Sequence, residues 1–245
     1  MTPGLVVDSV SAWRGCRPVV SAVSFDLRAG EVVAVIGPNG AGKTSLLDAV
    51  LGVLPLAGGS VSYAGQVLRT LRARARVFSY LSEGAEPPAE VRVATLLDCA
   101  ARASTLSAAI AGELVERLGL RALRAAFAGE LSRGEKRRVL LCAALCTDRP
   151  VIVLDEPLGV FDPLQMIDIR ALLHTRTHSG LALLLSVHQM AEAERIASRI
   201  LLLDGGCRIA FGSLDALRAQ VGQAAASLEE VFLAFLRGDH GPVAA

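Results

Sequence analysis

Short apolar runs set the pattern of this chain, and their period changes along it. Before residue 40 the runs are brief and mostly β-branched: Leu5-Val6-Val7, Val19-Val20, Val23-Ser24-Phe25-Asp26-Leu27 and Glu31-Val32-Val33-Ala34-Val35-Ile36. Runs of this kind predict strands, and several ahead of the first helix predict an antiparallel layer leading into the core. A helix is expected from about Lys43, with Leu46, Leu47 and Val50 on its apolar face. After Gly58-Gly59 come a hairpin-like pair, residues 60–63 and 67–68, and then residues 76–81 as a buried strand.

At Gly84-Ala85-Glu86-Pro87-Pro88 the chain breaks into a loop, and residues 91–126 are rich in Ala, Leu and Arg at helical spacing. This predicts a helical insertion. A further helix over 134–147, carrying Val139, Leu140, Ala143 and Ala144, returns the chain to the apolar strand Val151-Ile152-Val153-Leu154. Strands at 181–187 and 199–203 then alternate with helices at 163–177 and 191–197, the rhythm of a parallel sheet with crossover helices. Residues 215–219 and 228–236 read as terminal helices and 238–245 as a frayed tail. With no internal repeat and no long linker, a single α/β domain over 1–237 is expected. Its core is 1–83 with 149–214, its helical subdomain 84–148, and its C-terminal helices 215–237.

Composition narrows the reading. The 245 residues suffice for a full α/β core, and 25 basic against 24 acidic residues leave a net charge of +1. That balance provides no global pull towards nucleic acid or an anionic membrane. Hydrophobic residues make up 52% and the mean hydropathy is +0.48. Yet the longest apolar runs, such as Val139-Leu140-Leu141-Cys142-Ala143-Ala144-Leu145-Cys146, fall well short of the ~18–20 residues that span a bilayer. The excess points to an extensive core plus an apolar docking surface. Residues 1–8 lack a basic start and a long apolar stretch, so no secretory signal is expected. Cys16, Cys99, Cys142, Cys146 and Cys207 are odd in number and show no paired spacing, which predicts buried free thiols in a reducing compartment. His174 and His178 stand four apart without a carboxylate or Cys partner, so a metal site is not expected there. Arg69, Arg72, Arg74 and Arg76 lack interleaved aromatics and read as a solvated face or partner contact, not a nucleic-acid surface.

The chemistry is concentrated in two places. Gly37-Pro38-Asn39-Gly40-Ala41-Gly42-Lys43-Thr44 satisfies G-x-x-x-x-G-K-[ST] directly after a predicted strand and before a predicted helix. Its glycines let backbone N–H groups turn inward to a phosphate, and the helix dipole points at the same anion through Ser45. Lys43 is placed to reach the β- and γ-phosphates, and Thr44 to ligate Mg²⁺. The second place is Val151-Ile152-Val153-Leu154-Asp155-Glu156-Pro157. The strand delivers Asp155 to the sheet edge beside the phosphate loop, where it can hold Mg²⁺ through water. Glu156, one residue on, can orient and deprotonate an attacking water.

Between these motifs lies Leu131-Ser132-Arg133-Gly134-Glu135-Lys136-Arg137-Arg138, and beyond them stands His188. In this order the set resembles the ATP-binding-cassette (ABC) ATPases, and the resemblance covers nearly the whole chain. It implies an α/β P-loop NTPase (RecA-like) core with an N-terminal antiparallel β layer and an inserted helical subdomain, acting on ATP with Mg²⁺. By the same resemblance Trp13 stacks on adenine, while Glu83, where a glutamine is usual, sits at the metal and couples the site to a membrane partner. Ser132, Gly134 and Glu135 belong to the signature that contacts ATP held by an opposite subunit, with Arg133 replacing a glycine. Asp162 belongs to the loop crossing the dimer interface, and His188 contacts the γ-phosphate. Leu158 and Gly159-Val160-Phe161 depart from the family's usual residues. The implied protein is a nucleotide-binding subunit working as a head-to-tail pair with a second cassette. It would lie at the cytoplasmic face of the membrane on an integral permease, whose docking groove is flanked by residues 91–103. The Ile209-Ala210-Phe211-Gly212 and Ser227-Leu228-Glu229-Glu230 regions look like those of ABC-2-type exporters. An importer, a cassette that binds ATP with little turnover, and a non-transport ATPase are the other readings; no nucleic-acid partner is expected.

Overall fold

The computed structural model describes residues 4–106 and 108–238; most of the expected tail, 239–245, lies outside the described residues. The chain opens with two long antiparallel strands, β1 (Gly4–Arg14) and β2 (Arg17–Arg28), paired from Gly4↔Arg28 to Arg14↔Arg17. The pattern predicts shorter pieces because bulges interrupt the alternation. Register shifts fall between Val7 and Trp13, and Ser9 and Ala22 each take φ +48°.

In chain order there follow β3 (Val32–Ile36), α1 (Lys43–Leu51), β4 (Leu56–Tyr63), β5 (Gln66–Val67), α2 (Leu71–Val77) and β6 (Phe78–Leu81). Then come α3 (Val93–Arg102), α4 (Ala108–Arg117), α5 (Arg133–Leu145), β7 (Val151–Asp155), α6 (Pro163–His178) and β8 (Ala182–Ser186). The chain closes with α7 (Met190–Ile196), β9 (Arg199–Asp204), β10 (Cys207–Gly212), α8 (Leu214–Gln220) and α9 (Leu228–Arg237). One sheet has the order β2-β1-β4-β5 and is antiparallel; the other is β10-β9-β3-β8-β7-β6. In the second, β9, β3, β8, β7 and β6 are parallel, and β10 caps the edge antiparallel.

Strand alternation divides the interior in two. On β3, β7 and β8 the residues Val33, Val35, Val151, Val153, Ala182 and Leu184 join α1 and the antiparallel sheet in one core. Their neighbours Val32, Ala34, Ile152, Leu154, Leu183 and Leu185 face α5, α6 and α9 in the other. Strands buried on both faces read as continuous apolar runs, which is why these were legible. α1 is thereby held between two sheets.

Four expectations need correction. Residues 76–81 are not one strand: α2 ends at Val77 and β6 begins at Phe78. Thr70 starts α2 by accepting from the Ala73 amide at 3.1 Å. Arg74 does not belong to a solvated face. It is buried and donates to the carbonyls of Leu68, Ala49 and Val50, thereby capping the last turn of α1. The cysteines also divide: Cys142 and Cys146 are buried, with burial pushing the Cys142 thiol up to about 12, while Cys16, Cys99 and Cys207 are exposed free thiols. β10 was not among the expected strands, because Gly205-Gly206 joins it to β9 in a turn too tight to show as a separate run.

Candidate nucleotide site

The phosphate loop leaves β3, whose five residues are all buried. A Cβ at Gly37 would lie 2.3 Å from the Leu203 carbonyl oxygen and 2.8 Å from the Ala41 Cβ, so only glycine fits. Gly42 has φ +99°, and a Cβ there would meet the Val19 carbonyl at 2.6 Å. The loop is therefore wedged between the ends of β9 and β2, pinned by the Gly206 amide donating to Ala41 O at 2.9 Å. No side chain caps α1 at Gly42, so its first amides remain available to an anion. Lys43, 6% exposed, donates from Nζ to Gly37 O at 2.8 Å and Pro38 O at 3.2 Å. Thr44 is exposed and Ser45 half-buried on the same turn.

β7 carries Asp155 to the edge of the sheet, where it is 1% exposed. The adjacent strand β8 supplies Ser186, fully buried, whose Oγ donates to Asp155 Oδ1 at 2.5 Å and accepts from the Glu156 amide at 2.9 Å. Glu156 takes φ +46°, a left-handed geometry that costs about 1–3 kcal/mol for such a residue and persists only where its neighbours impose it. Its Oε1 lies 3.0 Å from His188 Nε2. Burial raises the carboxyl's pKa above the ordinary glutamate value; His188 and Lys43 pull it back, while Glu83 and Asp155 push it further up. A raised proton affinity suits a group that must take a proton from water.

Lys43, Thr44, Ser45, Glu156 and His188 line a cleft of about 560 Å³, and Asp155 and Ser186 stand outside its lining. Residues 39–45 form its floor, Glu83, Glu156 and His188 one end, and Arg14, Arg17, Pro18 and Val19 the other. Trp13 lies outside this lining, 50% exposed at the end of β1. Neither Ser132, Gly134, Glu135 nor Asp162 lines the cleft. Ser132 caps α5: its Oγ accepts from the Glu135 amide, and Glu135 Oε2 accepts from the Ser132 amide at 2.9 Å and from Oγ at 2.7 Å. Those bonds hold the Glu135 carboxyl below its usual range. Asp162 caps α6, accepting at 2.9 Å from the amides of both Leu164 and Gln165. A second cleft of about 310 Å³ shares Glu83, Glu156 and His188 and adds Arg133, Lys136 and Arg137 from α5.

Two residues of the site carry no role in the sequence reading. Ser186 leaves a trace, as the one polar position of the strand Ala-Leu-Leu-Leu-Ser. Arg137 leaves none, standing in a basic run where each charge looks alike.

The donor set suits magnesium: the Thr44 hydroxyl and the Asp155 carboxylate are hard oxygen donors beside the phosphate loop and could hold it. Among the described residues no three His, Cys, Asp or Glu side chains converge as a metal site, so phosphate and water would supply the remaining ligands.

A phosphate cradle and paired acids at the C-terminal edge of one parallel sheet define a P-loop nucleoside triphosphatase. The ABC transporter family model matches residues 20–159, and the chain belongs to that family. It is an ATPase that binds ATP with Mg²⁺ and couples its hydrolysis to transport. The glutamate/aspartate import ATP-binding protein GltL of Escherichia coli (strain K12) is 30% identical over 217 residues, 82% of this chain and 88% of that protein. The lipopolysaccharide export system ATP-binding protein LptB of the same organism is 33% identical over 215 residues, 82% of this chain and 87% of that one. The solved structure of an ATP binding subunit of an ABC transporter superposes with a TM-score of 0.87 at 30% identity, covering 95% of this chain and 99% of the other. Among the described residues no helix is long and apolar enough to cross a membrane.

Proposed function

We propose that the chain is the ATPase subunit of a bacterial exporter, closing head to tail with a second cassette on ATP and opening on hydrolysis. The observation that carries this is the separation of the two half-sites: Ser132, Gly134 and Glu135 stand outside the cleft that holds Lys43. On this reading an ATP bound at Lys43 meets the signature of another chain. Export follows the likeness of the C-terminal segments, and the complex lies at the cytoplasmic face through an integral permease seated against residues 91–103.

On this reading the triphosphate displaces the Gly37 and Pro38 carbonyls from the Lys43 ammonium. Thr44 and, through water, Asp155 would hold Mg²⁺ with Glu83 at its side, and the ion would supply positive charge against the phosphates. Glu156 accepts a proton as water attacks the γ-phosphorus, and the bridging oxygen leaves with ADP. His188 holds the carboxylate in line and contacts the γ-phosphate. Asp162 and the α5 N-terminus of the opposite chain complete the enclosure.

The pairing is tested with Asn39→Cys and Ser132→Cys in one chain whose exposed Cys16, Cys99 and Cys207 are changed to serine. Oxidation should join two chains only when ATP is present. A bridge within one chain, or one indifferent to ATP, overturns the pairing. The base is placed against the β1–β2 hairpin, where Trp13 and Arg14 present planar groups. Since Trp13 is the only tryptophan, saturating ATP should quench the protein's indole emission. Unchanged emission moves the base onto Arg14, whose guanidinium is fixed by Asp48 at 3.0 Å.

A further inference from the structure

Arg137 lies on the second turn of α5 and is 6% exposed. Its guanidinium is spread across two loops. Nη1 donates to the carbonyls of Ser82 at 2.7 Å and Glu83 at 3.2 Å, and Nη2 to those of Asp155 at 2.7 Å and Glu156 at 3.0 Å. β6 and β7 are parallel neighbours with Leu81 opposite Leu154, so these loops leave the sheet side by side. The side chains they carry are Glu83, Asp155 and Glu156. Arg138, one residue later, donates instead to Leu118 O at 3.0 Å, just beyond α4. Consecutive arginines thus join α5 on one side to the acids of the nucleotide cleft and on the other to the helical segment. The backbone of Glu156 is held at both ends, its amide by Ser186 and its carbonyl by Arg137, which keeps it at a positive φ.

We propose that Arg137 is a positioning residue, a single guanidinium that makes the carboxylates of the hydrolytic site move as one with the signature helix α5. Displacement of α5 when a second cassette closes on its N-terminus pulls four carbonyls together and sets Glu156 to take the proton of the attacking water. A lysine cannot replace it: a flexible ammonium with three donors lacks the planar fork that spans two loops. The inference rests on Glu156 being the base, and its test has an arm that does not.

In Arg137→Lys, kcat for ATP should fall by about tenfold or more while KM stays within about threefold, because geometry is lost and the phosphate cradle is untouched. In the nucleotide-free full chain, hydrogen exchange at residues 82–86 and 155–161 should quicken together by about tenfold, with residues 37–51 unchanged. Wild-type kcat, a KM that rises in step with the loss of kcat, or loosening of one loop alone overturns the proposal. Arg137→Gln repeats the exchange measurement, and failure of both variants to fold assigns Arg137 to core stability and overturns it too. Should Glu156→Gln hydrolyse ATP normally, the reading of the base fails while the exchange result stands or falls by itself.

Discussion

Glu156→Gln should lower ATP turnover about 10²–10⁴-fold, the range removed with a general base, while ATP remains bound. The substitution is nearly isosteric, and the features that place residue 156 do not involve its carboxylate: the Ser186 hydroxyl holds the amide and Arg137 the carbonyl. The geometry therefore survives and the proton acceptor is lost. Stability should not fall. The folded pKa of Glu156 is raised, so the ionised carboxylate weakens folding at neutral pH, an effect that vanishes as pH drops through the folded and then the unfolded value. Glutamine removes that penalty, and the variant should melt no lower than wild type near pH 7. On the head-to-tail reading, ATP then accumulates a dimer visible by size-exclusion chromatography. Undiminished turnover would remove Glu156 from the mechanism, and a persistently monomeric variant would sink the pairing.

Lys43→Ala should fail one step earlier. The ammonium is buried, and it donates to two carbonyls of the loop that carries it. Removing it deletes the fixed cation facing the phosphates and leaves the Gly37 and Pro38 carbonyls without their donor. A charge-assisted hydrogen bond contributes about 1.5–3 kcal/mol, so ATP affinity should fall by roughly 10–10²-fold, read by calorimetric titration, with turnover lost alongside it. Affinity within about threefold of wild type would mean that the loop amides bind the phosphates unaided. The two variants separate the steps: one binds without turning over, the other scarcely binds.

What could be read from sequence follows from how local each determinant is. The phosphate loop was legible because its glycines, lysine and flanking apolar strand are contiguous, and close contacts require glycine at positions 37 and 42. Asp155 and Glu156 were legible because a strand buried on both faces ends on two acids. The β1–β2 hairpin was obscured by bulges at Ser9 and Ala22, which reset the alternation and split long strands into short runs. Arg74 and Arg137 were lost for a different reason. Each lies in a basic run, and its burial depends on carbonyls 24 residues away in one case and 55 in the other. Whether Trp13 or Arg14 faces the cleft depends on the twist of the hairpin end, which composition does not encode.

The cap at Ser132 has a consequence for the energetics of assembly. In the separate chain the Glu135 carboxylate already accepts from the Ser132 amide and hydroxyl at the N-terminus of α5. A negative group thus occupies the helix end to which another chain would bring its triphosphate. On the head-to-tail reading, pairing is a competition between anions, with the resident acid yielding a place to the incoming one. Dimer affinity then measures the difference between two occupants, and it weakens again once the guest is cleaved.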